Sequence, residues 1–302
     1  MQFVQLYCTI EQITSIRSLE SRLQEAYVTL TEAIGFALEP TTFSWSETDT
    51  ILYALGVGAR PPTEAHLLDE TRGGPGVLPT FALLANWWAV KDLRNALRLG
   101  SSPIVHGGQA LDVHRPIEPR GKAVVSAVVT AVWDKGKHAA IEVTATGADE
   151  DGPLFTAVGQ TMVLGAGGFG GERGPAAAED PQGPPSASFQ DTVRPEQSAI
   201  YRLSGDRNPL HIDPEAARKA GFDDVFLHGL CTFGFAARAL INSLCNGDPL
   251  SLRSISCRFA KPVMLDAPLV TEMWQRDSEV RFRTTQNGTV ALAAGAATIE
   301  GR

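Results

Sequence analysis

The chain has 302 residues, of which 43% are hydrophobic and 20% charged, the balance of an ordinary globular protein. Its formal net charge of -8 argues against a nucleic-acid-binding surface, so we expect no nucleic-acid partner. The sequence has no apolar run of about 18 residues and no basic segment before its first apolar residues, so we predict neither a membrane span nor a signal peptide. Four scattered cysteines without CxxC spacing predict reduced thiols and a cytoplasmic location. A peroxisomal location is the less favoured alternative, because the C-terminal Glu-Gly-Arg does not resemble the Ser-Lys-Leu signal.

The first part of the chain divides into an extension and a module. Residues 1–33 have no counterpart later in the chain and receive no role, although 18–38 has the pattern of an amphipathic helix. Residues 34–164 form the predicted first module, in which the apolar stretch 81–99 predicts a helix. Runs rich in Val, Thr and Ala predict an antiparallel meander, with strands at 122–133, 138–146 and 154–164.

Residues 165–188 have the composition of a linker. Sixteen of these 24 residues are Gly, Ala or Pro, which leaves almost nothing to bury. The segment 165–170 also matches the GxGxxG pattern of dinucleotide-binding loops. Pro175 and Pro181 stand where the phosphate-binding helix would run, and we therefore favour the linker.

Residues 189–302 form the predicted second module, which follows the same plan. Apolar residues recur at three- and four-residue steps through 229–245, with small residues on the other faces, and this predicts a helix buried on all sides. Strands are predicted at 254–259, 268–276, 280–285 and 289–299, with Asn287-Gly288 as a hairpin turn. A sheet wrapped around one apolar helix in each module makes the expected fold class α+β.

A weak internal repeat indicates that the two modules arose by duplication. Residues 53–61 align with 201–209, and residues 114–117 align with 260–263. The two offsets, 148 and 146 residues, nearly agree, which chance does not easily supply for both matches. In this alignment Gly58 stands opposite Asp206 and Thr63 stands opposite His211, so the first module lacks an ionisable pair that the second module carries.

The densest polar stretch of the chain is 201–216. Gly205 permits a backbone conformation closed to other residues, and Pro209 disfavours helix at the residue before it. Asp213 and Pro214 have the pattern of a helix N-cap and first helical position. We expect Asp206 and His211 to project from a tight, rigid turn and to converge. The alternative is a polar loop in which Asp206 binds backbone amides and His211 lies at the surface.

A second signal, Phe226-Leu-His228-Gly229, directly precedes the buried helix. The first amides of a helix are free and carry partial positive charge, so the Gly229 N–H could stabilise an oxyanion. His228 has apolar neighbours on both sides, which favours a structural role over a contact with substrate.

These motifs closely resemble the signature of the MaoC-like (R)-specific enoyl-CoA hydratases, also called hydratase 2, and in particular their two-module double hot dog members. The resemblance covers nearly everything from residue 36 to 299. Besides 201–216 and 228–229 it includes 52–59, 78–80, 106–107 and 133–137. Gly205-Asp206, Asn208-Pro209 and His211 all match the long motif. The first module of such proteins resembles a degenerate copy that makes room for bulky acyl chains.

The resemblance implies hydration of a trans-2-enoyl-CoA to a (3R)-3-hydroxyacyl-CoA, with Asp206 and His211 as the catalytic pair. Asn208 would orient the pair, and Gly229 would donate its N–H to the enolate oxygen. Candidates for contacts with substrate or its CoA moiety are His228, Gly205, Lys135, Lys137, Arg258 and Lys261. We expect no metal and no cofactor beyond the CoA of the substrate. We expect the chain to form a homodimer. A metal held by His211 and Asp213 is disfavoured because a third ligand is not evident and Asp213 already has a capping role.

Three other functions remain open at this point. The same fold carries thioester hydrolysis, although the Gly-Asp-x-Asn-Pro-x-His run favours hydration. A dehydratase of carrier-bound acyl chains would catalyse the reverse reaction, on a substrate held by a carrier in place of CoA. A non-catalytic acyl-CoA-binding subunit would not need both Asp206 and His211. The length and branching of the acyl group cannot be predicted from the sequence.

Overall fold

The computed structural model describes residues 30–300 except 73, 92, 98, 100, 101 and 177. Most of the predicted helix 18–38 lies outside these residues, and the described part of that prediction is wrong. Leu30–Ala33 forms a 3-10 turn, and the chain then enters a strand at Ala37. Gly35 adopts a φ of 87° between the two, a left-handed conformation that ends a helix.

In the described part of the chain, ten antiparallel strands build one continuous sheet. In chain order they are β1 Ala37–Trp45, β2 Ile104–Val113, β3 Gly121–Asp134, β4 Ala139–Asp149, β5 Gly152–Val163, β6 Ala187–Val193, β7 Leu252–Phe259, β8 Ala267–Arg276, β9 Glu279–Gln286 and β10 Thr289–Ile299. The spatial order is β1-β3-β4-β5-β2-β7-β10-β9-β8-β6. Each half repeats one connectivity, 1-3-4-5-2 and 6-8-9-10-7, which supports the predicted duplication.

The two halves join through β2 and β7, which pair from Gly108 opposite Arg258 to Asp112 opposite Ser254. Hydrogen bonds across this seam satisfy the edge strand that each module would otherwise expose. The predicted double hot dog architecture is confirmed, with the two module sheets fused into one.

The α-helical segments among the described residues are α1 Glu47–Gly56, α2 Leu83–Lys91, α3 Leu93–Ala96, α4 Gln197–Tyr201, α5 Pro214–Lys219 and α6 Gly229–Leu244. Of the helix predicted at 81–99, residues 81 and 82 belong to a 3-10 turn, Pro79–Ala82, and the segments Leu83–Lys91 and Leu93–Ala96 are α-helical. Helix α6 is buried along most of its length, as predicted, and Phe233 and Phe235 on it belong to the core. Burying each such side chain contributes about 1.5–3 kcal/mol.

Strands β1, β2 and β6 were not predicted from the sequence. β2 contains Gly107 and Gly108, and glycine weakens a strand pattern. β6 reads Ala-Ser-Phe-Gln-Asp-Thr-Val and lies at the edge of the sheet, where polar residues are tolerated. It begins at Ala187, so the predicted linker end at 188 and the module start at 189 fall inside this strand.

The carboxylate of Asp134 helps to fasten the linker to the first module. Asp134 accepts hydrogen bonds from the backbone N–H groups of Gly136, Gly168 and Gly170 at 2.8–2.9 Å. These amides hold the pKa of Asp134 below its ordinary value. The dinucleotide alternative for the GxGxxG segment is therefore excluded, because a side chain of the protein already binds the amides that would have to hold a phosphate. Within the described part of the chain, no helix is long and apolar enough to cross a membrane.

Candidate active site

Two short turns between α4 and α5 carry the predicted catalytic pair. Arg202–Ser204 forms a 3-10 turn that Gly205 ends at a φ of 135°, so the prediction of a conformation open only to glycine is confirmed. A second 3-10 turn, Pro209–His211, follows Asp206. Asp213 then caps α5 by accepting from the N–H of Glu215 at 2.8 Å, as its position before Pro214 predicts.

His211 is held in one tautomer by the backbone. Its Nδ1 lies 2.9 Å from the carbonyl oxygen of Phe226, and because a carbonyl only accepts, Nδ1 carries the hydrogen. In the neutral ring, Nε2 then keeps its lone pair and can accept a proton. The side chain is 7% exposed and packs edge-on against the Phe226 ring at 4.8 Å. The alternative of a surface His211 is therefore wrong.

Asp206 is half-buried, and its Oδ1 accepts from the backbone N–H of Asn208 at 3.1 Å. Burial raises the pKa of Asp206 above its ordinary value, against the opposing effects of the Asn208 amide and of His211. Burial likewise lowers the pKa of His211, against the Phe226 carbonyl and Asp206. Desolvation thus brings the proton affinities of the two groups closer together, which suits a pair that must pass a proton between them.

Asn208 orients Asp206 through its backbone, whereas its side chain serves the turn. The Asn208 side-chain oxygen accepts from the N–H of Leu210 at 3.2 Å, an Asx turn that starts the 3-10 segment. The contact of Asn208 with Asp206 is therefore made by its main-chain amide and not by its side chain.

His228 completes the cluster from the opposite side. It is 1% exposed, and its ring contacts that of His211, with centroids 3.8 Å apart and an angle of 32° between the ring planes. Its Nε2 donates to the backbone carbonyl of Asp206 at 3.2 Å. Burial, reinforced by His211, lowers the pKa of His228 to about 3, so the ring is neutral at ordinary pH. These contacts favour a role in holding the Asp206 loop over the predicted contact with substrate.

Gly229 is the first residue of α6, so its N–H is one of the amides that a helix leaves without an internal partner. The Phe259 ring lies beside it, 3.4 Å from where a Cβ of residue 229 would stand. On its other side Phe259 contacts the ring of His106 in β2 at 4.5 Å. Burial lowers the pKa of His106 to about 4. The first module therefore contributes a neutral ring that packs on Phe259.

The cations predicted for the CoA phosphates lie in two places. Arg258 and Lys261 are exposed at the end of β7, next to Phe259. Lys135 and Lys137 lie in the turn between β3 and β4, and the Lys135 ammonium donates to the Arg173 carbonyl of the linker. Since β5 and β2 lie between β4 and β7, the two pairs do not form one cluster.

Three side chains of the site are also of the types that bind metal ions. One ligand atom each from Asp206, His211 and His228 lies within 4.8 Å of the others. The pair imagined from the sequence, His211 with Asp213, does not match this group, because Asp213 caps a helix. The carboxylate of Asp206 and the imidazole of His211 are also groups that proton transfer can use.

The counterpart of the site in the first module is filled. Gly58, aligned with Asp206, has a φ of 92°, and a Cβ there would stand 2.5 Å from Phe235 and 2.9 Å from the guanidinium of Arg238. Thr63, aligned with His211, donates only to the carbonyl of Arg60 at 3.4 Å. Helix α6 of the second module therefore occupies the space that a side chain at residue 58 would need.

Comparisons with known proteins agree with this geometry. Residues 176–296 match the MaoC-like domain family, and residues 43–165 match the MFE-2 hydratase 2 N-terminal domain. Over 269 residues the chain is 40% identical to 3-hydroxyacyl-thioester dehydratase Y of Mycobacterium tuberculosis, covering 85% of this chain and 91% of that protein. The chain belongs to the MaoC-like dehydratase family.

This MaoC-like protein is similar to a further relative and to a solved structure. It is 36% identical over 259 residues to enoyl-CoA hydratase ChsH3 of Mycobacterium tuberculosis, covering 82% of this chain and 90% of that protein. The crystal structure of a MaoC-like dehydratase from Phytophthora capsici superposes with a TM-score of 0.79 at 27% identity, covering 89% of this chain and 97% of that one.

Sequence reasoning missed the aromatic support beneath the MaoC-like site. Tyr201 is buried, with its ring 4.9 Å from that of His228 and 6.1 Å from that of Tyr53 in α1. The two tyrosines are the first residues of the aligned segments 53–61 and 201–209, so the repeat itself was the available signal. What it could not convey is that the duplicated tyrosines pack against each other across the module boundary.

Proposed function

We propose that the protein catalyses the reversible, (R)-specific hydration of trans-2-enoyl-CoA to (3R)-3-hydroxyacyl-CoA, as a hydro-lyase. The observation that carries this proposal is the cluster of Asp206, His211 and His228, whose donor atoms lie within 4.8 Å of one another. His228 directly precedes Gly229, whose N–H at the start of α6 has no partner within the helix. Family membership supports it. The names of two relatives, a 3-hydroxyacyl-thioester dehydratase and an enoyl-CoA hydratase, describe the two directions of one reaction.

In the proposed mechanism a water molecule sits between Asp206 and His211. The lone pair of His211 Nε2 takes one of its protons while the water oxygen forms a bond to C3. The π electrons of the C2–C3 bond move toward the thioester oxygen, which becomes an enolate held by the Gly229 N–H. Such a donor contributes about 3 kcal/mol to the transition state. The enolate then collapses, C2 takes the proton from the Asp206–His211 pair, and the pair returns to its starting state.

The test is the loss of conjugated double-bond absorbance when the purified protein meets trans-2-enoyl-CoA esters of increasing chain length, with chiral analysis of the product. Loss of absorbance that yields the (3R)-3-hydroxyacyl-CoA supports the proposal and ranks the substrates. Release of free CoA thiol would assign the protein to the thioesterases. Binding without turnover at every chain length would favour the non-catalytic acyl-CoA-binding subunit. Turnover of acyl-carrier thioesters alone would show that the acyl group is presented on a carrier and not on CoA.

The pH dependence of kcat/KM should reflect the proton affinities of the catalytic pair. The pair works with His211 neutral and Asp206 ionised. Because burial lowers the pKa of His211 below 6.5 and raises that of Asp206 above 3.8, we expect the rate to fall only below pH 6.5. The macroscopic midpoint belongs to the coupled pair. His228, with a pKa of about 3, should not contribute. A profile between pH 4 and 9 checks this, and an acidic midpoint at or above 6.5 would contradict it.

Metal removal should leave the activity unchanged, since the proposed chemistry uses no cofactor beyond the CoA of the substrate. Protein dialysed against EDTA and then assayed in metal-free buffer should match the untreated sample. The measurement matters because Asp206, His211 and His228 are close enough to share an ion. A loss of activity that added Zn²⁺ restores would overturn this part of the proposal.

We further propose that Arg258 and Lys261 bind the CoA phosphates. Both are exposed and lie close in sequence to Phe259, whose ring lies beside Gly229. Lys135, Lys137 and Gly205 remain candidates for weaker contacts. A cytoplasmic homodimer is the proposed state of the chain. The mass by light scattering, compared with the 32.3 kDa of one chain, tests the dimer.

A further inference from the structure

The C-terminal end of α1, in the module without a catalytic pair, meets three side chains of the other module. The last carbonyls of a helix have no partner within the helix, and here side chains of the second module donate to them. Gln197 Nε2 donates to the carbonyls of Leu55 at 2.9 Å and Gly56 at 2.5 Å. Cys231 Sγ donates to the Gly56 carbonyl at 3.2 Å. Arg238 Nε donates to the carbonyl of Val57, just past the helix end, at 2.9 Å.

These donors lie on α4, the helix that precedes the turns of the catalytic pair, and on α6, the helix that begins with Gly229. Gln197 is the first residue of α4, which leads through one turn of chain to Asp206. Cys231 lies in the first turn of α6, two residues after Gly229, and Arg238 lies farther along the same helix. One helix end in the first module therefore binds both the loop of the catalytic pair and the helix of the oxyanion donor.

The contact is close and leaves little freedom. A Cβ on Gly56 would stand 3.2 Å from the backbone of Tyr201, so α1 and α4 touch through main-chain atoms. Gln197 is 0% exposed, and its amide nitrogen makes both of its bonds to α1. Burying a polar side chain is favourable only when it is hydrogen-bonded, and these bonds tie α4 to a fixed point of the other module.

An ionic network fixes α6 at the same place. Arg238 is 1% exposed, and its guanidinium contacts both carboxylate oxygens of Glu64, at 2.7 and 2.8 Å. It also pairs with Asp191 of β6, which in turn pairs with Arg60. Two cations and two anions balance one another, so α6 is bound to the first module without an unpaired buried charge.

We propose that the end of α1 is an anchor that sets the position of Gly229 relative to Asp206 and His211, with Gln197 and Cys231 as positioning residues. The inference rests on the proposed hydration. It gives the first module a part in the chemistry besides making room for the acyl chain. The first module, which has no catalytic pair of its own, holds Gly229 in place relative to Asp206 and His211. A displacement of about 1 Å at reacting groups can cost 10²-fold in rate.

The decisive variant is Gln197→Met, which keeps the length of the side chain and removes both donors. We expect kcat for trans-2-enoyl-CoA hydration to fall about tenfold or more with KM within twofold, because the reacting groups shift while the surfaces that bind CoA remain. The matched control is Thr284→Val. Thr284 is buried in β9 and bonds only the Thr271 hydroxyl, at 3.0 Å, so it reports what lost stability alone does to kcat.

A folded Gln197→Met variant with wild-type kcat, or with a kcat loss no larger than that of Thr284→Val, would overturn the anchor. If Gln197→Met does not fold, the Cys231 pair decides. Serine can donate to the Gly56 carbonyl and alanine cannot, so kcat of Cys231→Ala should lie below that of Cys231→Ser, and equal values would overturn the proposal. A wild-type protein that hydrates no enoyl-CoA would refute the proposed function, a result distinct from these.

Discussion

Asp206→Asn and His211→Gln should each lower kcat for hydration by about 10²- to 10⁴-fold, the contribution expected of positioned acid–base groups. Both replacements keep the shape of the turn. Asn at 206 can still accept from the Asn208 N–H, and Gln at 211 can still donate to the Phe226 carbonyl. Since burial disfavours the charged form of both native groups, we expect little loss of stability.

Steady-state kinetics and thermal unfolding of the same samples check this expectation. The matched control is Asp213→Asn, because Asn is as good an N-cap as Asp and this exposed acid lies outside the cluster. Its activity should match that of the wild type. The double variant should be little worse than either single one, since the pair acts as a unit. A single variant with near wild-type turnover would refute the assignment of the pair.

Gly58→Ala should reduce the free energy of unfolding by about 3 kcal/mol, which combines backbone strain with overpacking. At a φ of 92° any side chain is strained, and the added methyl group would stand 2.5 Å from the Phe235 ring and 2.9 Å from Arg238. Neither neighbour can retreat easily, because both lie on the buried helix α6.

Gly136→Ala separates the two causes. Gly136 has a similar φ of 84°, but no atom lies within 4 Å of the position its Cβ would take. Its loss should be about 1 kcal/mol, from strain alone. Urea unfolding of both variants measures the difference, and equal losses would show that the contact with α6 is not tight. The result would also explain why this position in the first module carries no carboxylate.

The sequence predicted correctly those elements whose conformation is set by residues close together in the chain. β10 has the bounds predicted for it, Thr289–Ile299, because Asn287 and Gly288 supply the positive φ values of 49° and 76° that a tight hairpin needs. Helix α6 ends one residue before its predicted end. In the site, the conformation of Gly205 and the cap at Asp213 were predicted for the same reason.

Contacts between distant segments could not be predicted in this way. The pairing of β2 with β7, which fuses the sheets, leaves no periodic trace in either strand. Gln197 appears in the sequence as an unremarkable polar residue, and only its distance to Leu55 gives it a role. The contact of His228 with His211 likewise depends on two segments that the local pattern treats separately.

The seam between β2 and β7 has a consequence for stoichiometry. A protein made of one such module would need a second copy to complete its sheet, and its activity would disappear on dilution. Here both halves are covalently joined, and Asp206, His211 and Gly229 lie in the same chain as the helix end that holds them. Each chain therefore carries one complete set of these groups, and the specific activity should not depend on protein concentration, whatever further association the chain undergoes.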